Sequence, residues 1–91
     1  MLSSEEIQKY NEEGFLIPNF IMPEKDLIEI EELHKSLIEK HPKFRNYCPA
    51  VLLHDERFLK YCFNKKILNI IEQLIGKNFA LWNSSFFAKP A

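Results

Sequence analysis

The chain has 91 residues, 46% of them hydrophobic and 27% charged, and 12 Lys and Arg against 13 Asp and Glu give a formal net charge of −1. This composition is typical of a globular domain and excludes a disordered chain. The charge balance excludes an extended basic surface for nucleic acid, and no apolar run in the sequence approaches the ~18 residues of a membrane span.

The first predicted elements are a short helix over residues 3–13 and a strand over residues 14–17. Ser3, with a glutamate three positions later, fits a capping box at the start of the helix. Gly14 fits the left-handed residue that often follows a helix. Phe15-Leu16-Ile17-Pro18 is apolar, short and closed by proline, which indicates a brief edge strand or an extended segment rather than a central strand.

A longer amphipathic helix is predicted over residues 23–40. Pro23 suits the first helical position, and Pro42 ends the helix. One face carries an apolar stripe made of Leu27, Ile30, Leu33 and Leu37. The following region, His41 to Leu53, has no hydrophobic period, and we expect a packed loop on the surface of the domain.

Two further helices are predicted over residues 55–63 and 65–75, with Asp55 and Asn64 as their caps. The second helix ends at Gly76. Its residues include six large aliphatic side chains in nine positions, Ile67, Leu68, Ile70, Ile71, Leu74 and Ile75. That density predicts a helix buried against a sheet.

The last predicted element is a strand over residues 79–89. Apolar residues occur on both alternating faces of this segment, so both faces should be covered by other layers. Trp82 and Phe86, together with Phe58 from the preceding helical region, are expected in the core. Asn83, Ser85 and Phe87 share one face of this strand by alternation.

Three segments taken in order carry a resemblance to a known family: LSSEEIQKYNEEGFLIPNF, PEKDLIEIEELHKSLIEK and DERFLKYCFNKKILNIIEQLIGKNFALWNSSFFAKP. The most specific feature is L-I-G-x-x-x-x-L-W followed by a strand that ends in Lys-Pro. The set resembles the N-terminal part of the phytanoyl-CoA dioxygenase family of iron(II)/2-oxoglutarate-dependent oxygenases. It covers nearly the whole chain, so residues 1–91 are expected to be the N-terminal part of a single domain.

The resemblance implies an α+β fold, with N-terminal helices and the first strands of a double-stranded β-helix, or jelly roll. In that family an H-x-D motif soon after the Lys-Pro and a later histidine hold iron, which leaves positions for 2-oxoglutarate and dioxygen. This sequence contains no H-x-D. The expectation is therefore a fragment truncated before the metal site, whose partner is the remainder of the β-helix domain. Such a fragment should bind no cofactor and hydroxylate no small organic substrate by itself.

The resemblance also suggests cofactor-binding residues. Ser85 matches a strand position that faces 2-oxoglutarate in relatives, and Asn83 lies on the same face; alternatively, Ser85 packs inside a barrel as a small polar residue. Arg45 is a candidate for a basic group that meets the cosubstrate, or a solvated loop residue. His54-Asp55 is the pair most similar to the H-x-D metal motif. The side chains of adjacent residues point apart in an extended segment, which argues against metal binding and favours a surface histidine beside a helix cap.

A non-enzymatic interaction module is the alternative function, in which the exposed terminal strand adds to a partner's sheet. Self-association through that strand is expected under either hypothesis because exposed aromatic residues favour contact with another apolar surface. No secretory signal opens the sequence, so we expect a cytoplasmic protein that binds neither nucleic acid nor membrane. Cys48 and Cys62 are then expected as buried, reduced thiols.

Overall fold

A computed structural model describes residues 1–89 of the chain, of which 58% are helical. The helices are α1 (Ser4–Glu13), α2 (Glu24–Lys40), α3 (Val51–His54), α4 (Leu59–Cys62) and α5 (Lys65–Ile75), with 3₁₀ turns at Pro42–Phe44 and Glu56–Phe58. Strands β1 (Tyr47–Cys48) and β2 (Phe86–Phe87) form an antiparallel pair. The protein therefore contains both helix and sheet, as predicted.

The chain divides into two compact units. The first unit consists of Met1–Ile21 and Phe63–Ala80, and the second of Met22–Cys62 with the described part of Leu81–Ala91. No helix within residues 1–89 is long and apolar enough to cross a membrane.

In the first unit, α1 begins and ends where local sequence signals place it. Ser3 Oγ accepts a hydrogen bond from the Glu6 N–H at 3.1 Å, and Glu6 Oε1 accepts one from the Ser3 N–H at 3.0 Å. Gly14 adopts the left-handed conformation, with φ of 82°. The Leu2 N–H donates to Gln73 Oε1 at 2.9 Å, which joins the start of α1 to α5.

Helix α5 has the predicted bounds, but its expected burial against a sheet is not found. Asn64 Oδ1 accepts hydrogen bonds from the Lys66 and Ile67 N–H groups at 2.9 and 3.3 Å, so the helix begins at the predicted cap. None of the residues of α5 is fully buried. Within the described chain, the only sheet lies in the second unit, and no strand covers this apolar face in its own unit.

The prediction of a strand over residues 14–17 is wrong, since this segment is not part of any sheet in the described chain. The side chain of Ile17 is 85% exposed, and that of Phe15 is also largely exposed. Apolar content favours an extended chain here, but a strand also needs a neighbour to accept and donate its main-chain hydrogen bonds. The segment instead turns after Pro18, whose carbonyl accepts from the Phe20 N–H at 2.9 Å.

The core of the second unit lies where the sequence predicted a surface loop, so that prediction is wrong. Cys48 and Val51, both from the region 41–53, are 0% exposed. They pack with Leu37 of α2 and with Phe58. This region folds inward because Cys48 of β1 and Val51 of α3 pack in one cluster with Leu37 of α2, a long-range arrangement with no periodic signal in the sequence.

The terminal strand predicted over residues 79–89 is shortened to Phe86–Phe87. Phe86 pairs with Cys48, and the Ala88 N–H donates to the Asn46 carbonyl at 2.9 Å. In the other direction the regular pairing ends because Ala50, with φ of 48°, turns the chain into α3, and the Val51 N–H donates to the Ser84 carbonyl at 2.9 Å outside the register of the strand pair. The length of β2 is therefore set by its neighbour β1.

The helix predicted over residues 55–63 is found as a 3₁₀ turn followed directly by α4. Asp55 caps the turn, and its Oδ1 accepts a hydrogen bond from the Arg57 N–H at 3.0 Å. The expected position is thus confirmed, with a tighter first turn than the apolar pattern alone indicates.

Candidate functional site

The terminal segment of the second unit has one face on the core and one face in solvent. Ser84, Phe86 and Ala88 are half-buried, whereas the intervening residues are exposed. Phe86 packs against the core cluster, as predicted. The described residues cover one face of the segment, with α2 and the segment that carries Phe58, and the covering of the other face by further layers stays a prediction.

Asn83 and Ser85, the predicted 2-oxoglutarate residues, both lie on the exposed face of this segment. Asn83 Oδ1 accepts a hydrogen bond from the neighbouring Ser84 N–H at 2.8 Å, so this side-chain oxygen is engaged by the adjacent main chain. Phe87, on the same face, is 76% exposed and stacks on Tyr47 with ring centroids 4.7 Å apart. The structure thus places the three residues on one face, and their role toward 2-oxoglutarate stays a prediction.

One edge of β2 is paired with β1, and within residues 1–89 no strand pairs with the other. Hydrogen-bonded and non-bonded residues alternate along an antiparallel strand, and Phe86 and Ala88 direct their main-chain groups toward β1. The main-chain N–H and C=O groups of Ser85 and Phe87 therefore point to the opposite edge. We call this the free edge of β2.

A groove of about 550 Å³ runs between α2 and β2. Residues of α2 and of the terminal segment line it: Ile28, Ile30, Glu31, Glu32, His34, Lys35, Phe86, Phe87 and Ala88. No residue of β1 contributes to the lining, which places the groove on the side of the free edge. We call it the edge groove; it joins an apolar floor to a charged rim.

His34 stands at the edge groove with an unsatisfied polar atom. Its ring lies 5.3 Å from that of Phe86, between centroids. Its Nε2 atom is buried and has no hydrogen-bond partner among the described residues. Burial of a polar atom without a partner is unfavourable, so this nitrogen would gain from a donor or acceptor brought into the groove. The sequence indicated only a histidine on the flank of an amphipathic helix.

A second groove, of about 450 Å³, lies between α3 and the terminal segment. Its lining residues are Ala50, Leu52, Leu53, Leu81, Trp82 and Asn83. Trp82 is 97% exposed and Leu53 is 86% exposed. The prediction of Trp82 as a core residue is therefore wrong in the described chain, although the same prediction for Phe58 is confirmed.

Glu29, Lys60 and Tyr61 form a hydrogen-bonded cluster that joins α2 to α4. Glu29 Oε2 accepts from Lys60 Nζ at 2.8 Å and from Tyr61 Oη at 2.7 Å. These hydrogen bonds, that of Lys60 first, lower the pKa of the Glu29 carboxyl. Desolvation and then the Glu29 hydrogen bond raise the pKa of the Tyr61 hydroxyl. The tyrosine therefore keeps its proton, and the cluster is suited to holding two helices together rather than to general base chemistry.

The other residues considered from the sequence lie in ordinary environments. The ring of His54 packs on Phe44, with centroids 4.6 Å apart. The Asp55 carboxylate accepts hydrogen bonds from Arg57 Nε, shared between its two oxygens, and from Arg57 Nη2 at 2.8 Å. Arg45 is exposed and follows the 3₁₀ turn at Pro42–Phe44. Within residues 1–89, no group of three or more His, Cys, Asp or Glu side chains is placed to hold a metal ion.

The two cysteines are both free. Cys48 is fully buried, as predicted, and desolvation raises the pKa of its thiol. Cys62 is only half-buried, and its Sγ lies 4.0 Å from the Phe58 carbonyl oxygen. A raised pKa makes the thiol of Cys48 a poor nucleophile, so we regard it as a core residue.

Comparison of the chain with protein-family models, with curated proteins and with solved structures finds no match. Functional inference therefore depends on the order of the elements, the resemblance carried by the sequence segments, and the surfaces described above. Among these surfaces, the free edge of β2 with its groove is the feature best suited to binding, since it offers unpaired main-chain groups beside an apolar floor.

Proposed function

We propose that the chain is the N-terminal, largely helical part of an iron(II)/2-oxoglutarate-dependent oxygenase domain with a jelly-roll fold, in which it helps to build an enzyme that hydroxylates a small organic substrate. The observation that carries the proposal is the free edge of β2, with exposed aromatic residues on one face and an open groove beside it. A further strand of a β-helix would pair with this edge and cover the aromatic face.

The order of the elements supports the proposal. A capped helix ending at Gly14, the long helix α2 and the helix α5 ending at Gly76 follow one another in the sequence as the resemblance to the family requires. The terminal segment then contributes a short strand just before Lys89. The apolar face of α5, on which no residue is fully buried, adds support, because helices of this kind pack on a sheet in mixed folds.

The described residues do not fit the metal of such an enzyme. Iron in this class is held by two histidines and one carboxylate, and within residues 1–89 no cluster of three such groups exists. The ligands must come from other polypeptide, so the role assigned to this chain is to complete and cover the barrel. Ser85 and Asn83 would line the 2-oxoglutarate side only after further strands enclose their face.

The reading frame downstream of the Ala91 codon tests the proposal directly. We expect it to encode an H-x-D motif a short distance beyond Lys89-Pro90, followed later by a further histidine. A stop codon immediately after Ala91 would overturn the proposal. A second test is iron(II)-dependent turnover of 2-oxoglutarate by the purified 91-residue chain: we expect none, and measured turnover would contradict the assigned role.

A non-enzymatic interaction module is the second candidate function. It is favoured by the large apolar side chains exposed in the second unit, with Trp82 at 97%, Leu53 at 86% and Phe87 at 76%. Large exposed apolar residues that cluster mark surfaces for binding another polypeptide. A stop codon after Ala91, together with a blue shift of the fluorescence of the single tryptophan when the chain binds a partner, would favour this function over the first.

A further inference from the structure

We propose that two copies of this chain associate through the free edge of β2, antiparallel and about a two-fold axis, to form a four-stranded sheet in the order β1-β2-β2-β1. This deepens the second candidate function, on which it rests, by naming a second copy as the partner. Three independent features of the second unit support it: main-chain hydrogen bonding, charge and apolar surface.

The free edge is complementary to itself in hydrogen bonding. Ser85 and Phe87 each present an N–H and a C=O away from β1, and they are two positions apart. When two identical strands pair antiparallel with Phe86 at the centre, Ser85 of one copy lies opposite Phe87 of the other and the pair exchanges two hydrogen bonds. The two-fold axis generates a second such pair, so four main-chain hydrogen bonds form between the two copies.

The edge groove is complementary to itself in charge. Glu31 and Glu32 line the groove about one helical turn before Lys35. A two-fold axis perpendicular to the new sheet keeps both α2 helices on the same face and makes them antiparallel. The two glutamates of one copy then face the lysine of the other, and the arrangement occurs twice. Opposite charges placed in this way specify the antiparallel register.

The surface that such pairing would cover is apolar and unprotected. Ile28 in the edge groove is exposed, and the half-buried Ile30, Phe86 and Ala88 line the same groove. Proteins usually protect a strand edge with proline, a bulge or a charge that points inward, and residues 84–88 contain none of these. The net charge of −1 gives only weak repulsion between copies.

Sedimentation equilibrium over a range of protein concentrations tests the proposal. We expect the unmodified chain to show a monomer–dimer equilibrium, and a monomer at every concentration would overturn the proposal. Lys35→Glu should weaken dimerisation by about tenfold or more, because it places like charges opposite each other. Lys25→Glu is the matched control: it makes the same charge change on α2 outside the groove and should leave the equilibrium unchanged.

Reversing the charge of the acidic residues that face Lys35 gives a complementary test. The double variant Glu31→Lys/Glu32→Lys should also weaken self-association. An equimolar mixture of this variant with Lys35→Glu should form a heterodimer, since opposite charges again face each other across the axis. Failure of the mixture to associate more strongly than either variant alone would contradict the two-fold arrangement.

Ser85→Pro tests the main-chain bonds. Proline removes the outward N–H of Ser85, whereas the pairing of β1 with β2 uses Phe86 and Ala88. We expect loss of the dimer with unchanged helical circular dichroism, and full dimerisation would contradict the proposed edge. The oxygenase proposal is judged separately by the downstream reading frame, so a monomeric chain followed by an H-x-D motif would reject the dimer alone.

Discussion

The ring of Phe86 meets the ring of Phe58 edge to face, with centroids 4.9 Å apart and an angle of 62° between the ring planes. Phe58 is a core residue, so this contact attaches the terminal segment to the interior of the second unit. Because β1 and β2 share only two pairs of residues, the packing of Phe86 on the core is an important second attachment of the segment.

Phe86→Ala should lower the free energy of unfolding by about 2–4 kcal/mol, since it removes a large, mostly covered aromatic group and leaves a cavity. Phe87→Ala, the neighbouring substitution on the exposed face, should lower it by about 1 kcal/mol or less when the chain is monomeric, because it removes only the stacking of Phe87 on Tyr47. Urea denaturation at low protein concentration measures both. Equal losses in the two variants would show that the face of the strand has been assigned incorrectly.

Asn64→Ala should destabilise the start of α5. The Asn64 side chain accepts hydrogen bonds from two main-chain N–H groups that have no partner within the helix. Loss of such a cap costs about 1 kcal/mol, visible as a lower thermal midpoint and faster amide exchange in the first turn. Asn69→Ala is the control, because within residues 1–89 the Asn69 side chain makes no hydrogen bond, and the bond from Gln73 goes to its main-chain carbonyl. A larger loss from the control variant would contradict the capping role.

The Glu29 cluster should make stability depend on pH in the acid range. The pKa of Glu29 is lowered in the folded protein, first by its hydrogen bond from Lys60 and then by that from Tyr61. The stabilisation is therefore fully present above the unfolded-state pKa of a glutamate, about 4.3, and is lost as the pH falls through the lower folded-state value.

Glu29→Gln should reduce this loss of stability on acidification, measured as the difference in urea midpoint between neutral pH and the acid range. Asp55 will still contribute in the same direction, because its hydrogen bond from Arg57 lowers its pKa as well. Glu39→Gln removes a carboxylate from the same helix and serves as the control. An identical acid profile for Glu29→Gln and the unmodified chain would refute the role of the cluster.

The two glycines should respond differently to substitution by asparagine. Gly14 has φ and ψ of 82° and 3°, a left-handed conformation that asparagine tolerates, so Gly14→Asn should be nearly neutral. Gly76 has φ and ψ of 89° and 178°, in a region that is essentially restricted to glycine. Gly76→Asn should cost about 1–3 kcal/mol.

Neither glycine has an atom within 4 Å of the position that a Cβ would occupy, so the difference tests backbone conformation alone. Thermal denaturation of both variants gives the comparison. Similar midpoints for the two variants would indicate that the chain after α5 adopts a different conformation.

The sequence by itself determined the three longer helices. Ser3, Asn64 and the glycines at positions 14 and 76 act on main-chain groups within a few residues, so their signals can be recognised without tertiary information. The amphipathic stripe of α2 identified its buried face for the same reason, because side chains three and four positions apart share one side of a helix. Alternation also placed Asn83, Ser85 and Phe87 together on one face.

Only the tertiary structure decided which face of the terminal segment is covered, how long its strand is, and where the core lies. Each of these depends on residues distant in sequence: Phe86 needs Phe58, and β2 ends where Ala50 turns the chain after β1 away. A strand forms only when another segment satisfies its main-chain hydrogen bonds, and a residue is buried only when another element covers it. Neither condition leaves a local pattern in the sequence.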